Sequence, residues 1–399
     1  MNRPDQIVHD LQATIDRDDR GLAGLIEKSL RKAADRAEAE LNHDVLRALE
    51  WPRSLPEYFD YLKGFIRWVP RQSDDPAWTK SAPGQRYAKE VSDRLAHFFW
   101  LTDQKVDEGG TAIAENSDAF RDWLTAFARQ WGSFLDTPES FSKEVLDSFI
   151  EDAPEYHVEE SLVDGRPNMP SGWLTFNQFF ARELNPGLRP IAEPLDNTAV
   201  TSPADCVFQH SYGIDQSSNI PRTTIKGTHH YGNIRRLIEG SQYADAFAGG
   251  TFAHYMLPPS AYHRYHVPVS GLVKEAYTIS GRVFMQVDLE DHELVSKDSA
   301  KTGYEFSQTR GVLTLDTAGS DEGDLGIVGV VAVGMSHVAS VNVTAVESTR
   351  LAKGDEFGYF QFGGSDIIVL FQEGVAPDVS TSEEFRRVGS VIARCRTLA

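Results

Sequence analysis

The first third of the chain has the periodicity of amphipathic helices. Apolar side chains recur every three or four positions among charged ones between residues 10 and 51, and again between residues 55 and 69. The same period returns between residues 85 and 100, after a polar, proline-bearing segment at 71–84. Since this spacing places the apolar side chains on one face of a helix, the three stretches predict helices that bury one side, separated by a loop at 71–84.

A fourth helix is predicted where an aromatic stripe begins just after Ser117 and Asp118, either of which can cap a helix N-terminus. We interpret the stripe as packing against the other helices rather than as a substrate-facing wall. Residues 1–150 therefore form a predicted all-helical domain in which the sequence shows no obvious chemistry. The stripe consists of Phe120, Trp123, Leu124, Phe127, Trp131, Phe134 and Leu135.

Beyond a proline-, glycine- and acid-rich linker at 151–175, the pattern changes to that of β-strands. A short helix at 176–184 is followed by segments that alternate apolar and polar side chains or run apolar over strand length. The predicted fold class is therefore α+β, with a helical N-terminal domain and a mainly antiparallel β domain at 176–399. The predicted strands lie at 207–209, within a hairpin-rich stretch at 271–288, and at 312–315, 327–333, 338–346 and 367–371.

The composition of the chain excludes some classes of binding partner. The 399 residues carry a net charge of −20, which argues against binding nucleic acid through long-range electrostatics. Two cysteines give no disulfide framework, the N-terminus lacks a signal-peptide pattern and no apolar run reaches membrane-spanning length. We therefore expect a cytoplasmic protein without a membrane-spanning segment.

The candidate chemistry centres on Gly363-Gly364-Ser365, which runs directly into the apolar strand at 367–371. Two glycines permit a positive φ and leave the amide before Ser365 open to attack. A serine hydroxyl in this position can add to the preceding carbonyl, convert the amide to an ester, and leave a pyruvoyl group after elimination and hydrolysis. The alternative is that Gly-Gly-Ser is only a turn before a strand.

Two further stretches bear on this choice. His263 and His266 each offer a neutral imidazole that can deprotonate a serine, although the pair can equally be structural. A zinc site is disfavoured because no further glutamate or cysteine ligand lies nearby in the sequence. Asp205 lies just before a predicted strand and can orient such a base, or can simply cap a turn after Pro203.

With all three stretches in one chain, the sequence resembles the phosphatidylserine decarboxylase family of pyruvoyl-dependent enzymes. The resemblance implies that Asp205, His266 and Ser365 act together to cleave the chain between Gly364 and Ser365, and that His263 assists decarboxylation. It implies a covalent pyruvoyl cofactor made from Ser365, without PLP or a metal, that forms a Schiff base with the substrate amine. The matching residues are 179–187, 189–191, 202–205, 225–227, 247–252, 262–264, 266, 268, 333–334, 353–358 and 362–365.

Within the family, the helical N-terminal domain and Ala261 resemble the soluble branch typified by L-tryptophan decarboxylase. The segment 308–310 lacks the Asn-Glu-Arg of the lipid enzymes. The preferred hypothesis is therefore a decarboxylase of a soluble, plausibly aromatic L-amino acid. The alternatives are phosphatidylserine decarboxylation and an unprocessed binding module. The oligomeric state stays open.

Two residues depart from both branches, and each bears on rate or specificity. Asp366 places a charge directly after the predicted cleavage site, where it can slow processing or hold a substrate amine. Cys206 follows Asp205 where the lipid enzymes have glycine.

Overall fold

A computed structural model gives the arrangement of most of the chain. It describes residues 3–18, 21–82, 85–107, 113–225, 229–283, 285–296, 304–320, 323–334, 341–363 and 365–398. The α-helices are α1 (Arg3–Arg17), α2 (Leu22–Glu40), α3 (His43–Ala48), α4 (Leu55–Phe65), α5 (Glu90–Trp100), α6 (Asp118–Leu135), α7 (Lys143–Glu151), α8 (Phe176–Phe180) and α9 (Ile234–Leu237). Short 3-10 helices lie at Ala114–Asn116, Pro138–Ser140, Pro154–Tyr156, Val158–Ser161, Ala244–Phe247 and Tyr304–Phe306.

The strands are concentrated in the second half of the chain. They are β1 (Thr79–Ala82), β2 (Gln85–Ala88), β3 (Leu162–Val163), β4 (Arg166–Pro167), β5 (Ala199–Thr201), β6 (Val207–Gly213), β7 (Asn219–Ile225), β8 (His229–Asn233), β9 (Thr251–Leu257), β10 (Arg264–His266), β11 (Gly271–Ile279), β12 (Val287–Glu290), β13 (Glu293–Ser296), β14 (Thr309–Asp316), β15 (Ile327–Gly334), β16 (Val341–Val343), β17 (Arg350–Leu351), β18 (Glu356–Phe360), β19 (Ser365–Phe371), β20 (Asp378–Val379) and β21 (Val391–Arg394).

The chain divides into two compact units. The first contains Met1–Glu159 together with two later segments, Trp173–Asn177 and Arg282–Asp298. The second contains Glu160–Gly172, Gln178–Gly281 and Ser299–Ala399. The division falls near the predicted linker, but the sequence did not predict that two segments from beyond residue 150 belong with the helices.

The first unit has an aromatic core, as its stripe predicts. The side chains of Phe120, Phe127 and Trp131 on α6 are buried, and the ring of Phe98 stacks on those of Phe65 and Phe127, with centroid distances of 4.6 and 5.4 Å. The hydroxyl of Ser117 accepts a hydrogen bond from the backbone N–H of Phe120, which is the predicted cap. Packing between helices, as the sequence predicts, therefore accounts for these side chains.

One helix prediction in this unit is wrong at its start. Residues 85–88 form β2, which pairs antiparallel with β1, and helix α5 begins only at Glu90. The helical period between residues 85 and 100 is real from Glu90 onward, but Pro83 and Gly84 are typical turn residues that favour a hairpin between two short strands. These two residues lie outside the described part of the chain.

The second unit is organised around a seven-stranded antiparallel sheet. Its strand order is β17-β11-β14-β15-β19-β9-β6, which places β19 between β15 and β9 with every residue of β19 buried. Two three-stranded sheets, β10-β18-β16 and β20-β21-β5, belong to the same unit. The predicted α+β class with mainly antiparallel strands is therefore confirmed. Of the predicted strand at 338–346, residues 338–340 lie outside the described residues.

Among the described residues, no helix combines the length and the apolar character that crossing a membrane requires.

Candidate active site

The predicted nucleophile stands at the start of the central strand. Ser365 is the first residue of β19, where it pairs with Leu257 on β9 and Gly334 on β15, and its side chain is fully buried. Gly363 has a φ of 146°, in the region that favours glycine, as the sequence predicts. Gly364, the residue before the predicted cleavage point, lies outside the described residues.

His263 is the side chain that reaches Ser365. The Nδ1 atom of His263 lies 3.1 Å from Oγ of Ser365, and its Nε2 atom lies 3.1 Å from the carbonyl oxygen of Pro259. Because a carbonyl can only accept, Nε2–H donates to Pro259 and leaves Nδ1 free to accept the Ser365 hydroxyl proton. The carbonyl of Pro259 therefore fixes the tautomer in which His263 can act as a base.

The surroundings of His263 keep it neutral. Its ring is fully buried and stacks on Phe180 with centroids 4.0 Å apart, and the ring of Phe362 meets Phe180 edge-on at 5.2 Å. Burial lowers the pKa of His263 to about 3, and the charge of Arg182 acts in the same direction. At neutral pH the imidazole is thus uncharged, dry and hydrogen-bonded to the nucleophile.

His266 occupies a different position. Its Nδ1–H donates to the carbonyl of Gly354 at 2.8 Å, and its Nε2 accepts from the hydroxyl of Tyr262 at 3.1 Å. Burial is the main cause that lowers the pKa of His266. His266 is the last residue of β10 whereas His263 precedes that strand, and the register of β10 against β18 shifts between Tyr265 and His266.

Asp205 is held by a cation rather than by an imidazole. Arg189 donates to both of its carboxylate oxygens, at 2.6 to 3.1 Å, and the backbone N–H of Val388 donates to Oδ1 at 2.8 Å. The negative charge of Asp205 still opposes the lowering of the pKa of His266. Among the described residues, however, no hydrogen bond joins Asp205 to His266. The structure therefore brings Ser365 together with His263, and not with the predicted Asp205–His266 pair.

The two departures from the family pattern have structural explanations. Cys206 is buried, shares a hydrogen bond with Ser202 at 3.3 Å, and has its pKa raised to about 12 by burial, so it stays a thiol. The carboxylate of Asp366 lies 2.5 Å from Nε2 of His254, and both side chains are fully buried. Since side chains alternate along a strand, Asp366 faces away from the side of β19 that carries the Ser365 hydroxyl.

Some residues of this site had no functional signal in the sequence. Phe180 and Arg189 lie in stretches that resemble the family, but nothing in the sequence assigned them a contact. The carbonyl of Pro259 is a backbone group and is invisible to sequence reasoning. His254 could have been noticed as a histidine inside an otherwise apolar strand, Thr251–Leu257.

The profile described as phosphatidylserine decarboxylase matches residues 176–394, which is more than half of the chain. The chain belongs to the phosphatidylserine decarboxylase family. The matched part of the chain includes Asp205, His263, His266 and Ser365. It excludes the helices before α8.

Individual relatives agree with the family. The chain is 30% identical over 255 residues to phosphatidylserine decarboxylase proenzyme 2 of Oryza sativa subsp. japonica, a match covering 63% of this chain and 37% of the rice protein. It is 32% identical over 247 residues to the phosphatidylserine decarboxylase proenzyme of Clostridium perfringens, covering 62% and 75%. It is 27% identical over 276 residues to decarboxylase iboD of Amanita muscaria, covering 63% and 77%. The chain thus spans well under two thirds of the rice relative.

Proposed function

We propose that the chain is a self-processing, pyruvoyl-dependent decarboxylase. The observation that carries the proposal is the 3.1 Å contact between Oγ of Ser365 and Nδ1 of His263, in a buried site directly after Gly363 and Gly364. A neutral imidazole with its second nitrogen committed to Pro259 is a suitable base for a serine nucleophile. The word proenzyme in the names of the rice and Clostridium relatives supports processing.

The proposed cleavage passes through an ester and a dehydroalanine. His263 takes the hydroxyl proton while Oγ of Ser365 attacks the carbonyl carbon of Gly364, and the amide nitrogen leaves that carbon and gains a proton, which gives an ester. Loss of the Cα proton of residue 365 then breaks the Cβ–Oγ bond, releases the Gly364 carboxylate and leaves dehydroalanine. Tautomerisation and addition of water release ammonia and leave a pyruvoyl group at residue 365.

The residues present fit such a group. After cleavage the small chain begins with the central strand β19, which has β15 and β9 as neighbours on its two sides. A pyruvoyl group supplies an electron-accepting carbonyl to a substrate amine. Phe180 and Phe362 exclude water from residue 365, and His263 is the group that we assign to proton transfer there.

The family resemblance gives Asp205 and His266 a part in cleavage, and this part stays a prediction that competes with the assignment of the base to His263. Burial and the Gly354 carbonyl hold His266 in its Nδ1–H form, with Nε2 accepting from Tyr262. A role of His266 in cleavage would therefore involve Tyr262, whose burial raises its pKa and keeps it protonated.

For the substrate, the comparisons favour phosphatidylserine over the aromatic amino acid that the sequence first indicated. Both the family profile and the rice and Clostridium relatives carry phosphatidylserine in their names. We therefore propose phosphatidylserine as the first candidate. A free amino acid, plausibly aromatic like tryptophan, is the second candidate, supported by the match to decarboxylase iboD, whose name specifies no lipid.

Two measurements test the proposal. Intact-mass spectrometry under denaturing conditions should find fragments ending at Gly364 and beginning with a pyruvoyl group at residue 365, and a single uncleaved chain in the control Ser365→Ala. Release of carbon dioxide is then measured with phosphatidylserine in phosphatidylcholine vesicles and with free L-tryptophan. Activity on tryptophan alone would reverse the order of the two candidates, and a wild-type chain that stays uncleaved would favour an unprocessed binding module.

A further inference from the structure

A second set of ionisable side chains lies behind the reacting strand. Asp366 directly follows Ser365, and its Oδ2 atom lies 2.5 Å from Nε2 of His254 on the neighbouring strand β9. Neither side chain has any exposed surface. In the strand pairing, Asp366 is opposite Met256 while His254 is opposite Ile368, so the contact runs diagonally between β19 and β9.

This face of the sheet is otherwise a hydrophobic core. Ile368 and Leu370 of β19 pack there with Phe252 of β9 and Phe306. A lone charge in such surroundings is costly, whereas an ion pair with good geometry offsets most of that cost. Arrangements of the two strands that separate Asp366 from His254 are therefore much higher in free energy than the arrangement in which the two side chains meet.

The other charged groups near the pair come from the segment before β14 and from β14 itself. Glu305 is fully buried, and its carboxylate interacts electrostatically with both His254 and Asp366. Arg310 on β14 donates to the carbonyls of Leu237 and Gln308 at 2.9 and 2.6 Å, and its charge acts on Glu305. The charge of Asp366 is thus matched at close range by His254.

The other side chains of β19 do little to fix the register of this strand against its neighbours. From Ile367 to Phe371 every residue of β19 is apolar and buried, on both faces of the sheet. In a strand of this kind a shift by one residue exchanges one apolar side chain for another, so the hydrophobic effect penalises it weakly. A shift by one residue would also turn Ser365 to the opposite face, away from His263.

The two strands that meet at the pair also carry both halves of the candidate site. β19 begins with Ser365, and β9 ends at Leu257, two residues before Pro259, whose carbonyl fixes the tautomer of His263. The distance between nucleophile and base therefore depends on the register of β9 against β19. We propose that Asp366 and His254 form a register-fixing pair that positions Ser365 against His263 for self-processing. This inference rests on the proposed function.

The pair also predicts a pH dependence of cleavage. The negative charge of Asp366 and its hydrogen bond raise the pKa of His254 although burial opposes this. The raised pKa favours the imidazolium, and the ion pair is lost as pH rises through the pKa of His254. Cleavage of the wild type should therefore slow as pH rises, and Asp366→Asn should remove this decline because it removes the charge that the imidazolium matches.

Two variants separate positioning from stability. Asp366→Asn breaks the ion pair with an isosteric side chain, and we expect cleavage measured by intact mass at neutral pH to slow at least tenfold. The double variant Asp366→Leu with His254→Leu replaces the pair with apolar side chains, which usually preserves stability. We expect the double variant to melt close to the wild-type temperature and still to cleave slowly.

Hydrogen exchange gives a readout that does not require cleavage. In the double variant, amides of peptides covering Thr251–Leu257 and Ser365–Phe371 should exchange faster than in the wild type, with cleavage blocked in both by Ser365→Ala. The register-fixing role would be overturned if the double variant cleaved at the wild-type rate, or if the amide exchange rates of both strands were unchanged. If the wild type itself is not cleaved, the proposed function fails, and the exchange experiment still decides whether the pair fixes the register of the two strands.

Discussion

Replacing His263 by asparagine tests the central contact most directly. An asparagine side chain places a hydrogen-bonding amide near the position of Nδ1, but an amide cannot take up the Ser365 proton. The variant therefore removes the base while retaining a polar group in the buried site. We expect the variant to fold, with some loss of stability because the ring stacked on Phe180 at 4.0 Å is gone.

The expected size of the effect follows from the protonation state of His263. With a pKa of about 3, the ring is protonated in roughly one molecule in 10^4 at pH 7, so the base form is fully available in the wild type. Removing a positioned general base costs about 10^2- to 10^4-fold in rate, or about 3 to 5 kcal/mol in activation free energy. The same pKa predicts that wild-type cleavage shows no acid decline from His263 between about pH 5 and pH 8.

The assay is a time course of the uncleaved chain by intact mass after synthesis, with His266→Asn as the matched variant. The geometry predicts the larger loss for His263→Asn, because His266 is hydrogen-bonded to Tyr262 and Gly354 rather than to Ser365. This reasoning would be refuted if His263→Asn cleaved at the wild-type rate while His266→Asn did not cleave. That result would restore the assignment implied by the family resemblance, in which His266 acts in cleavage.

Further predictions concern buried charges that the same fold must accommodate. Arg189→Met should destabilise the chain by about 3–5 kcal/mol in urea unfolding, because Asp205 would remain buried without its cation, whereas Arg387→Met, at an exposed guanidinium, should cost at most about 1 kcal/mol. Lys353→Met should cost about 1–3 kcal/mol in the same assay, since the ammonium group donates to three backbone carbonyls. Burial raises the pKa of Glu305 to about 7, so the folded state favours its protonated form and stability should fall as pH rises from about 4.5 to 7. Glu305→Gln should accordingly be more stable than the wild type by about 3 kcal/mol at pH 8 and no more stable than the wild type at pH 4. The same stability difference at both pH values would contradict this prediction.

Some elements of this fold can be predicted from local sequence patterns. The central strand follows from an apolar run after Gly363-Gly364-Ser365, and helix α6 follows from its aromatic stripe and Ser117. Such elements depend on periodicity and capping, which are properties of neighbouring residues. The hairpin of β1 and β2 was missed because four-residue strands carry too few positions to outweigh the helical period that begins beside them.

The pairing of side chains is a different kind of information. His263 and Ser365 are separated by 102 positions, and the spacing of His263 and His266 does not say which of them meets the serine. That choice depends on the path of β10 and on the carbonyl of Pro259. Likewise, the sequence marks Asp366 as unusual, but its partner His254 is set by the neighbouring strand, and strand order is not a local property.

The composition of the first compact unit determines how this protein can be dissected. The hairpin of β12 and β13 arises more than a hundred residues after α6, yet Glu293 pairs with Lys89 at 2.6 Å and His292 bonds to the carbonyl of Glu40 at 2.7 Å. A deletion of the N-terminal helices would therefore leave the hairpin of β12 and β13 without the residues that it contacts. Because the first unit also includes segments 173–177 and 282–298, exchanging it between relatives requires grafts at three separate places in the gene.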